Sequence, residues 1–213
     1  MHIEHGYPDK NNKMNQAETH ESRMASLLEL ATRLGATDAC VISTSDILVE
    51  DRLAEICKET RCESYGRSKS CPPHVAGPSM LREWIKTIDH AIVVRIDVPL
   101  EILLSEREDI MRLLHEIVAS VELAAIRLGY VNSKAFAGGS CKQFFCASHA
   151  YCRVVAGEGE CRNPQRARPS MSSYGVNVPE MMKTARWASG EDKSGEQIER
   201  GSTGTVSGLI LIG

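Results

Sequence analysis

The sequence predicts an α/β fold built on a small mixed sheet of about four strands, with packed helices and two cysteine-rich loops. Three observations predict this class. Apolar runs typical of buried strands alternate along the chain with segments in which apolar residues recur at helical spacing. Glycine and proline interrupt this alternation at two places. Seven of the eight cysteines lie at those two interruptions.

The first elements lead to the first cysteine loop. Residues 1–18 are polar and predict a disordered segment, without the apolar stretch of a signal peptide. A helix is expected over 21–34, because apolar residues recur at helical spacing and Gly35 follows. Asp38–Ser43 is a short apolar run that predicts a buried strand, whereas 47–53 fits either class.

The middle of the chain alternates loop, helix and strand. Residues 57–77 contain several glycines and prolines and predict an irregular loop. Ser79 is expected to N-cap a helix that extends to Ile88. Residues 91–98 form the clearest predicted strand, and Pro99 ends it.

A long amphipathic helix is expected over 105–128, followed by a strand over 134–137. The second cysteine loop occupies 138–175. A short helix then begins with Pro179 in its first turn. The chain closes with two further segments: a polar surface linker over 189–204 and an apolar strand over 205–212.

The length and charge of the chain limit the classes of function. A chain of 213 residues suits one α/β domain over 19–213. Its net charge of -3 gives no overall basic field, so binding of nucleic acid is not expected. Apolar stretches are too short to span a membrane. A cytoplasmic location is expected, where thiols stay reduced.

The second cysteine loop has the ligand number of a [4Fe-4S] cluster or of a structural zinc site. Gaps of four, five and eight residues separate Cys141, Cys146, Cys152 and Cys161. Structural zinc sites usually use tightly spaced cysteine pairs, so the wider gaps favour iron–sulfur. Zinc and metal-free redox thiols stay open as alternatives. His149, in the same loop, is either a substitute ligand or a surface histidine.

The first cysteine loop offers three thiols, Cys57, Cys62 and Cys71, for a second metal centre. Three thiolates on a cubic cluster leave one iron open for chemistry. Cys40 and His74 are the candidates for a fourth ligand. The strand context of Cys40 favours a buried, structural cysteine instead.

Basic residues accompany both loops. Positive charge beside the first loop comes from Arg61, Arg67 and Lys69, and beside the second from Arg153, Arg162, Arg166 and Arg168. These groups would stabilise thiolates, or they are simply solvated. Loops at one edge of an α/β sheet gather together, so Cys71 and Cys141 are expected to converge. Arg67, Arg162 and Arg168 would then line an electropositive mouth for a small anion.

Three motifs carry a family resemblance: 62–67 (CESYGR) leading into 70–73 (SCPP), 138–142 (GGSCK), and the tail from 161–164 (CRNP) through 168–171 (RPSM) to 175–178 (GVNV). Over residues 20–212 the chain resembles the uncharacterised predicted metal-binding proteins of domain of unknown function 2284. The family also tends to carry a glutamate at the position of Glu122. Many members have acidic residues where this chain has Ser172 and Asn177. Either carboxylate proton chemistry is absent here, or hydrogen bonding to the loop backbone is retained.

The resemblance implies a cytoplasmic iron–sulfur or metal protein of mostly anaerobic prokaryotes, without an agreed reaction. With the cysteine pattern, it predicts a redox protein that either transfers electrons or carries out chemistry at an open iron. One [4Fe-4S] cluster is expected at the second loop and a second centre at the first. The expected partner is a redox protein or a small anionic ligand. The alternative is a zinc-stabilised, non-enzymatic module that binds a partner protein.

Overall fold

The computed structural model describes residues 19–187 and 203–213. In these parts of the chain the α-helices are α1 (His20–Arg33), α2 (Asp51–Glu59), α3 (Gly77–Ile85), α4 (Leu100–Ser105), α5 (Arg107–Arg127), α6 (Cys141–Phe145) and α7 (Val178–Thr184). The strands are β1 (Asp38–Ser43), β2 (His90–Pro99), β3 (Lys134–Phe136) and β4 (Thr203–Ile212). The predicted disordered segment 1–18 and most of the predicted linker 189–204 lie outside the described residues.

The strands form one sheet in the order β1-β2-β4-β3. The predicted α/β class with four strands is confirmed. All three described strand pairs are antiparallel, where a mixed sheet was expected. Val93 on β2 faces Leu209 on β4, and Leu209 also faces Phe136 on β3. β4, the last of the described strands, is therefore a central strand of the sheet.

Two apolar cores lie on the two faces of the sheet, because successive side chains of a strand point in opposite directions. On one face, Ile92, Val94 and Ile210 join the core formed with α1 and α5. On the other, Val93 and Leu211 join the core that includes residues of α3 and α7. Burial of each such large aliphatic side chain stabilises the fold by about 1.5–3 kcal/mol.

Several boundaries differ from the sequence expectations. Cys57 lies in the last turn of α2, not in an irregular loop. Helix α3 begins at Gly77 with Pro78 in its first turn, so Ser79 is not its N-cap. Proline suits this position because its missing N–H has no helical partner there. Strand β4 already includes Thr203 and Gly204, which the sequence assigned to the linker.

No helix in the described ranges 19–187 and 203–213 is both long enough and apolar enough to cross a bilayer.

Candidate metal centre

The two cysteine loops meet at a pair of Ser–Cys dipeptides. The thiol of Cys71 donates a hydrogen bond to the hydroxyl of Ser140 at 3.3 Å. The thiol of Cys141 donates in the same way to Ser70, also at 3.3 Å. All four residues are buried. The predicted convergence of Cys71 and Cys141 is therefore confirmed.

The four cysteines of the second loop line one cavity, which we call the second site. Cys141 begins α6, Cys146 follows the end of that helix, and Cys152 and Cys161 come from the irregular chain beyond it. The other residues that line this cavity include Ser68, Lys69, Lys142, Phe145, Arg153, Arg162 and Asn163. The fold thus brings together the set of thiols that the spacing predicted.

Asn163 donates hydrogen bonds to two of these sulfur atoms. Its backbone N–H donates to the Sγ of Cys161 at 3.4 Å, and its side-chain amide donates to the Sγ of Cys146 at 3.3 Å. Donors aimed at sulfur stabilise a thiolate more than a thiol. Asn163 lies in the CRNP motif, so the motif supplies both a thiol and the donors around it.

The first loop supplies one wall of the second site. The hydroxyls of Ser68 and Ser70 beside the sulfur of Cys141 favour its thiolate, but burial outweighs them and raises the pKa of that thiol. Burial is also the largest influence on Cys152, but backbone N–H donors from Val155, Lys69 and Val154 outweigh it. Together with the charge of Lys69, these donors lower the pKa of Cys152. Lys69 was expected beside the first set of thiols and instead serves the second.

The three cysteines of the first loop line a separate cleft, which we call the first site. The cleft has a volume of about 230 Å³, and its other lining residues include Ser64, Tyr65, Arg107, Gln143, Ser170 and Ser172. Burial raises the pKa of Cys57, and repulsion from Cys62 and Cys71 adds to the increase. That repulsion shows that the thiols of the set lie near one another. Cys62 is exposed, so the first site is the more open of the two.

Two of the four arginines expected around the second set of thiols do not face it. The guanidinium of Arg168 is buried and pairs with Glu122 at 2.5 Å. Arg166 pairs with Glu116 at 3.0 Å and lies over the ring of Phe145. The expectation that Arg168 lines a mouth with Arg67 and Arg162 is therefore wrong, because its charge is neutralised inside the protein.

Arg67 and Arg162 are both exposed, but they line different cavities. Arg162 lines the second site and donates to the backbone carbonyl of Tyr151 at 3.4 Å. Arg67 lines a third, adjoining cavity with Glu63 and Lys142. An anion role for either residue stays a prediction.

The candidate fourth ligands, together with His149, do not line either site. Cys40, on β1, is half-buried rather than buried, and it packs at the edge of the apolar core that contains Val93. A ring nitrogen of His74 lies 3.1 Å from the backbone carbonyl oxygen of Gly66. His149 is exposed in the second loop. None of these three residues is among the lining residues of the first or second site.

His115 was not selected from the sequence, yet it positions the second loop. It is fully buried on α5, and burial lowers its pKa to about 4. Its Nε2 lies 2.9 Å from the carbonyl oxygen of Gly138, and its Nδ1 accepts from the N–H of Arg168 at 3.2 Å. A neutral ring that donates from Nε2 satisfies both bonds. The ring thereby ties both ends of the second loop to α5.

Glu122 has a structural role as well. Its carboxylate accepts from the backbone N–H of Ala135 at 2.8 Å and from the Nε of Arg168 at 2.6 Å. It therefore joins strand β3 to the tail of the second loop.

The tail motif holds the helix that carries Cys57. The carbonyl of Gly175 accepts from the N–H of Glu50 at 2.7 Å, and the N–H of Asn177 donates to the carbonyl of Leu48 at 2.9 Å. Asn177 also caps α7, since its side chain accepts from the N–H of Glu180 at 3.1 Å. The side-chain amide at this position thus accepts from the backbone of α7 and donates to the carboxylate of Glu50.

In the described parts of the chain, no three His, Cys, Asp or Glu side chains are grouped so as to hold a single metal ion. A polynuclear cluster has a different requirement, because each thiolate binds its own iron. The residues of the second site are chemically suited to that requirement. Four thiols line one cavity, nitrogen donors face the sulfur atoms, and Lys69, Arg153 and Arg162 supply positive charge.

Comparison with known proteins adds one finding. A family model described as predicted metal-binding protein (DUF2284) matches residues 40–212, which include all eight cysteines. No curated protein and no solved structure gives a significant match.

Proposed function

We propose, for a chain that belongs to the DUF2284 family of predicted metal-binding proteins, that its two sets of thiols hold iron–sulfur clusters and that it is a redox protein. The observation that carries this proposal is that the two sites meet at the hydrogen bonds of Cys71 with Ser140 and of Cys141 with Ser70, which we call the junction. One set of four thiols and one set of three line neighbouring cavities, linked by the reciprocal contacts of Cys71 and Cys141.

The second site has the ligands and donors for a [4Fe-4S] cluster. Cys141, Cys146, Cys152 and Cys161 would hold it, and the cluster would supply one-electron redox chemistry. Asn163 and the backbone donors at Cys152 would stabilise the negative charge of the thiolates. All four corners of a cube would be ligated by protein, which suits electron transfer rather than substrate binding.

The first site suits a centre with an open position. Cys57, Cys62 and Cys71 provide three thiolates, and the cleft of about 230 Å³ beside them is lined by polar groups. A metal held by three protein ligands keeps one coordination position for another molecule. The first site would therefore carry the chemistry, and the second would deliver or remove electrons.

The junction determines how the two centres would be coupled. When Cys71 and Cys141 bind metal they lose their protons, so the direction of both junction hydrogen bonds must reverse. Ser140 then donates to the sulfur of Cys71, and Ser70 donates to the sulfur of Cys141. Each thiolate is thus held by a serine that directly precedes the facing cysteine in the chain.

The proposal places the protein in the cytoplasm, as one domain over 19–213 with a redox protein as its partner. It is tested by anaerobic purification followed by quantification of iron, acid-labile sulfide and zinc per chain. We expect iron and sulfide in nearly equal amounts, with a broad visible absorption. Stoichiometric zinc without sulfide would instead support the zinc-stabilised binding module and refute the redox assignment.

A further inference from the structure

The first site is lined by two chemically different kinds of group. Three of its lining residues are cysteines, and others carry hydrogen-bonding groups, among them Ser64, Tyr65 and Arg107. Among the described residues, these three side chains make no hydrogen bond or ion pair to another side chain or to the backbone. Ser170 and Ser172 also line the cleft, and their hydroxyls lie 3.2 Å apart. The side chains of Ser64, Tyr65 and Arg107 are therefore free to donate hydrogen bonds to a ligand in the cleft.

Apart from the thiols, the charged side chain that lines this cleft is positive. Among the residues of the described chain that line it, none is Asp or Glu, and Arg107 is the only Lys or Arg. Neighbouring arginines are neutralised, since Arg112 pairs with Asp109 at 2.7 Å and Arg166 pairs with Glu116 at 3.0 Å. A guanidinium without a carboxylate partner beside a polar cavity attracts an anion.

We propose that the first site binds a small oxyanion, with its charged group on Arg107 and the rest of the molecule directed toward Cys57, Cys62 and Cys71. Guanidinium groups bind carboxylate and phosphate oxygens through two parallel hydrogen bonds. Ser64 and Tyr65 donate to further oxygen atoms of the ligand. That this ligand lies next to a metal centre rests on the proposed function. The oxyanion would then be the substrate class of that centre.

This assignment differs from the sequence expectation. Arg67, Arg162 and Arg168 were selected because they are near the cysteines in the chain, but none of them lines the first site. Arg107 is distant from every cysteine in sequence and enters the cleft from the first residue of α5. Since Arg107 is exposed and unpaired, its replacement leaves the fold intact.

The test is isothermal titration calorimetry of anaerobically purified protein with two probes, succinate and inorganic phosphate. Wild type is compared with Arg107→Gln and Arg107→Lys, and Arg67→Gln serves as the matched control outside the cleft. Iron and sulfide are quantified in the same samples. We expect Arg107→Gln to raise the dissociation constant about tenfold or more, because a charged hydrogen-bond donor is lost. Arg107→Lys should be intermediate, and Arg67→Gln should match wild type.

The outcomes separate this inference from the redox proposal. Binding of succinate alone identifies a carboxylate as the ligand class, and binding of phosphate alone identifies an inorganic or phosphoryl anion. Binding that depends on Arg107 in protein that contains stoichiometric zinc and no sulfide would retain the oxyanion site and refute the iron–sulfur assignment. Equal affinity in wild type and Arg107→Gln, or binding of neither probe to wild type at millimolar concentration, overturns the inference.

Discussion

Cys152 and Cys141 line the same cavity, but their pKa values are shifted in opposite directions. Backbone N–H donors and the charge of Lys69 lower the pKa of Cys152 despite its burial, whereas burial raises the pKa of Cys141. Thiols must lose their protons to bind metal. Of these two thiols, Cys152 is therefore the more readily available to an incoming metal at neutral pH.

We expect Cys152→Ser to remove the metal of the second site and to destabilise the second loop. No residue from 145 to 166 is buried, so this segment has no apolar core of its own and depends on its ligands. Metal content per chain and thermal denaturation measure the effect. Cys40→Ala is the control and should keep its metal while losing about 1 kcal/mol of stability. Full metal content in Cys152→Ser would refute the four-cysteine assignment.

His115 predicts a pH dependence of stability. Its pKa is about 4 in the folded chain and 6.5 in an unfolded one, so the folded chain binds its proton less readily. The contribution is fully present above pH 6.5 and is lost as the pH falls toward 4. Between pH 7 and pH 5, this group should lower the free energy of unfolding by about 2 kcal/mol. Urea denaturation of metal-free wild type and His115→Gln at both pH values measures it, and an equal pH dependence in the two proteins would contradict it.

At the scale of elements, the tail motif and α2 form one unit although they are far apart in the chain. Val49 and Val176 form an isolated β-bridge, and backbone hydrogen bonds from Glu50 and Asn177 flank it. Since Cys57 lies in the last turn of α2, the tail of the second loop positions a thiol that lines the first site. The two loops therefore share their supporting structure as well as their junction.

Gly175→Ala tests this dependence. Gly175 has a φ of 74°, and an added Cβ would lie 2.6 Å from the carbonyl oxygen of Glu50. We expect a loss of about 2 kcal/mol or more in unfolding free energy, with less metal in the first site. Gly157→Ala is matched in backbone conformation, with a φ of 73°, but its Cβ would meet no atom within 4 Å. Gly157→Ala should therefore lose only the free energy that backbone strain costs. Equal loss of metal in both variants would refute the dependence of the first site on the tail motif.

At the scale of the whole molecule, the proposed clusters would have coupled properties, because each reduction potential would depend on a serine of the other cysteine loop. Removing a hydroxyl that donates to a cluster thiolate makes the reduction potential more negative. Ser70→Ala should therefore lower the potential of the second site, and Ser140→Ala that of the first, each by on the order of tens of millivolts. Redox titration monitored by electron paramagnetic resonance measures both. Ser133→Ala, a buried serine that contacts neither set of thiols, is the control. Potentials unchanged in both junction variants would contradict the prediction.

The sequence predicted those features that depend on local pattern. The strands and long helices follow from apolar periodicity, and the thiol sets follow from spacing, since ligands of one loop are close in the chain. It did not predict that Lys69 serves the second site, that Arg168 is buried against Glu122, or that His115 ties both ends of the second loop to α5. These contacts join residues far apart in the chain, and they depend on the strand order and on the way the two loops meet. A short-range sequence pattern cannot predict such contacts.

The position of β4 has a consequence for how the protein is made. β4 follows β3 only after the whole second cysteine loop, yet it lies between β2 and β3 and is the strand with which β3 pairs. The turn at Gly138 and the four-cysteine loop follow directly from β3. Until β4 has been synthesised, β3 lacks the strand with which it pairs, so the loop is not yet held in place. We therefore expect metal insertion at the second site to follow the synthesis of β4.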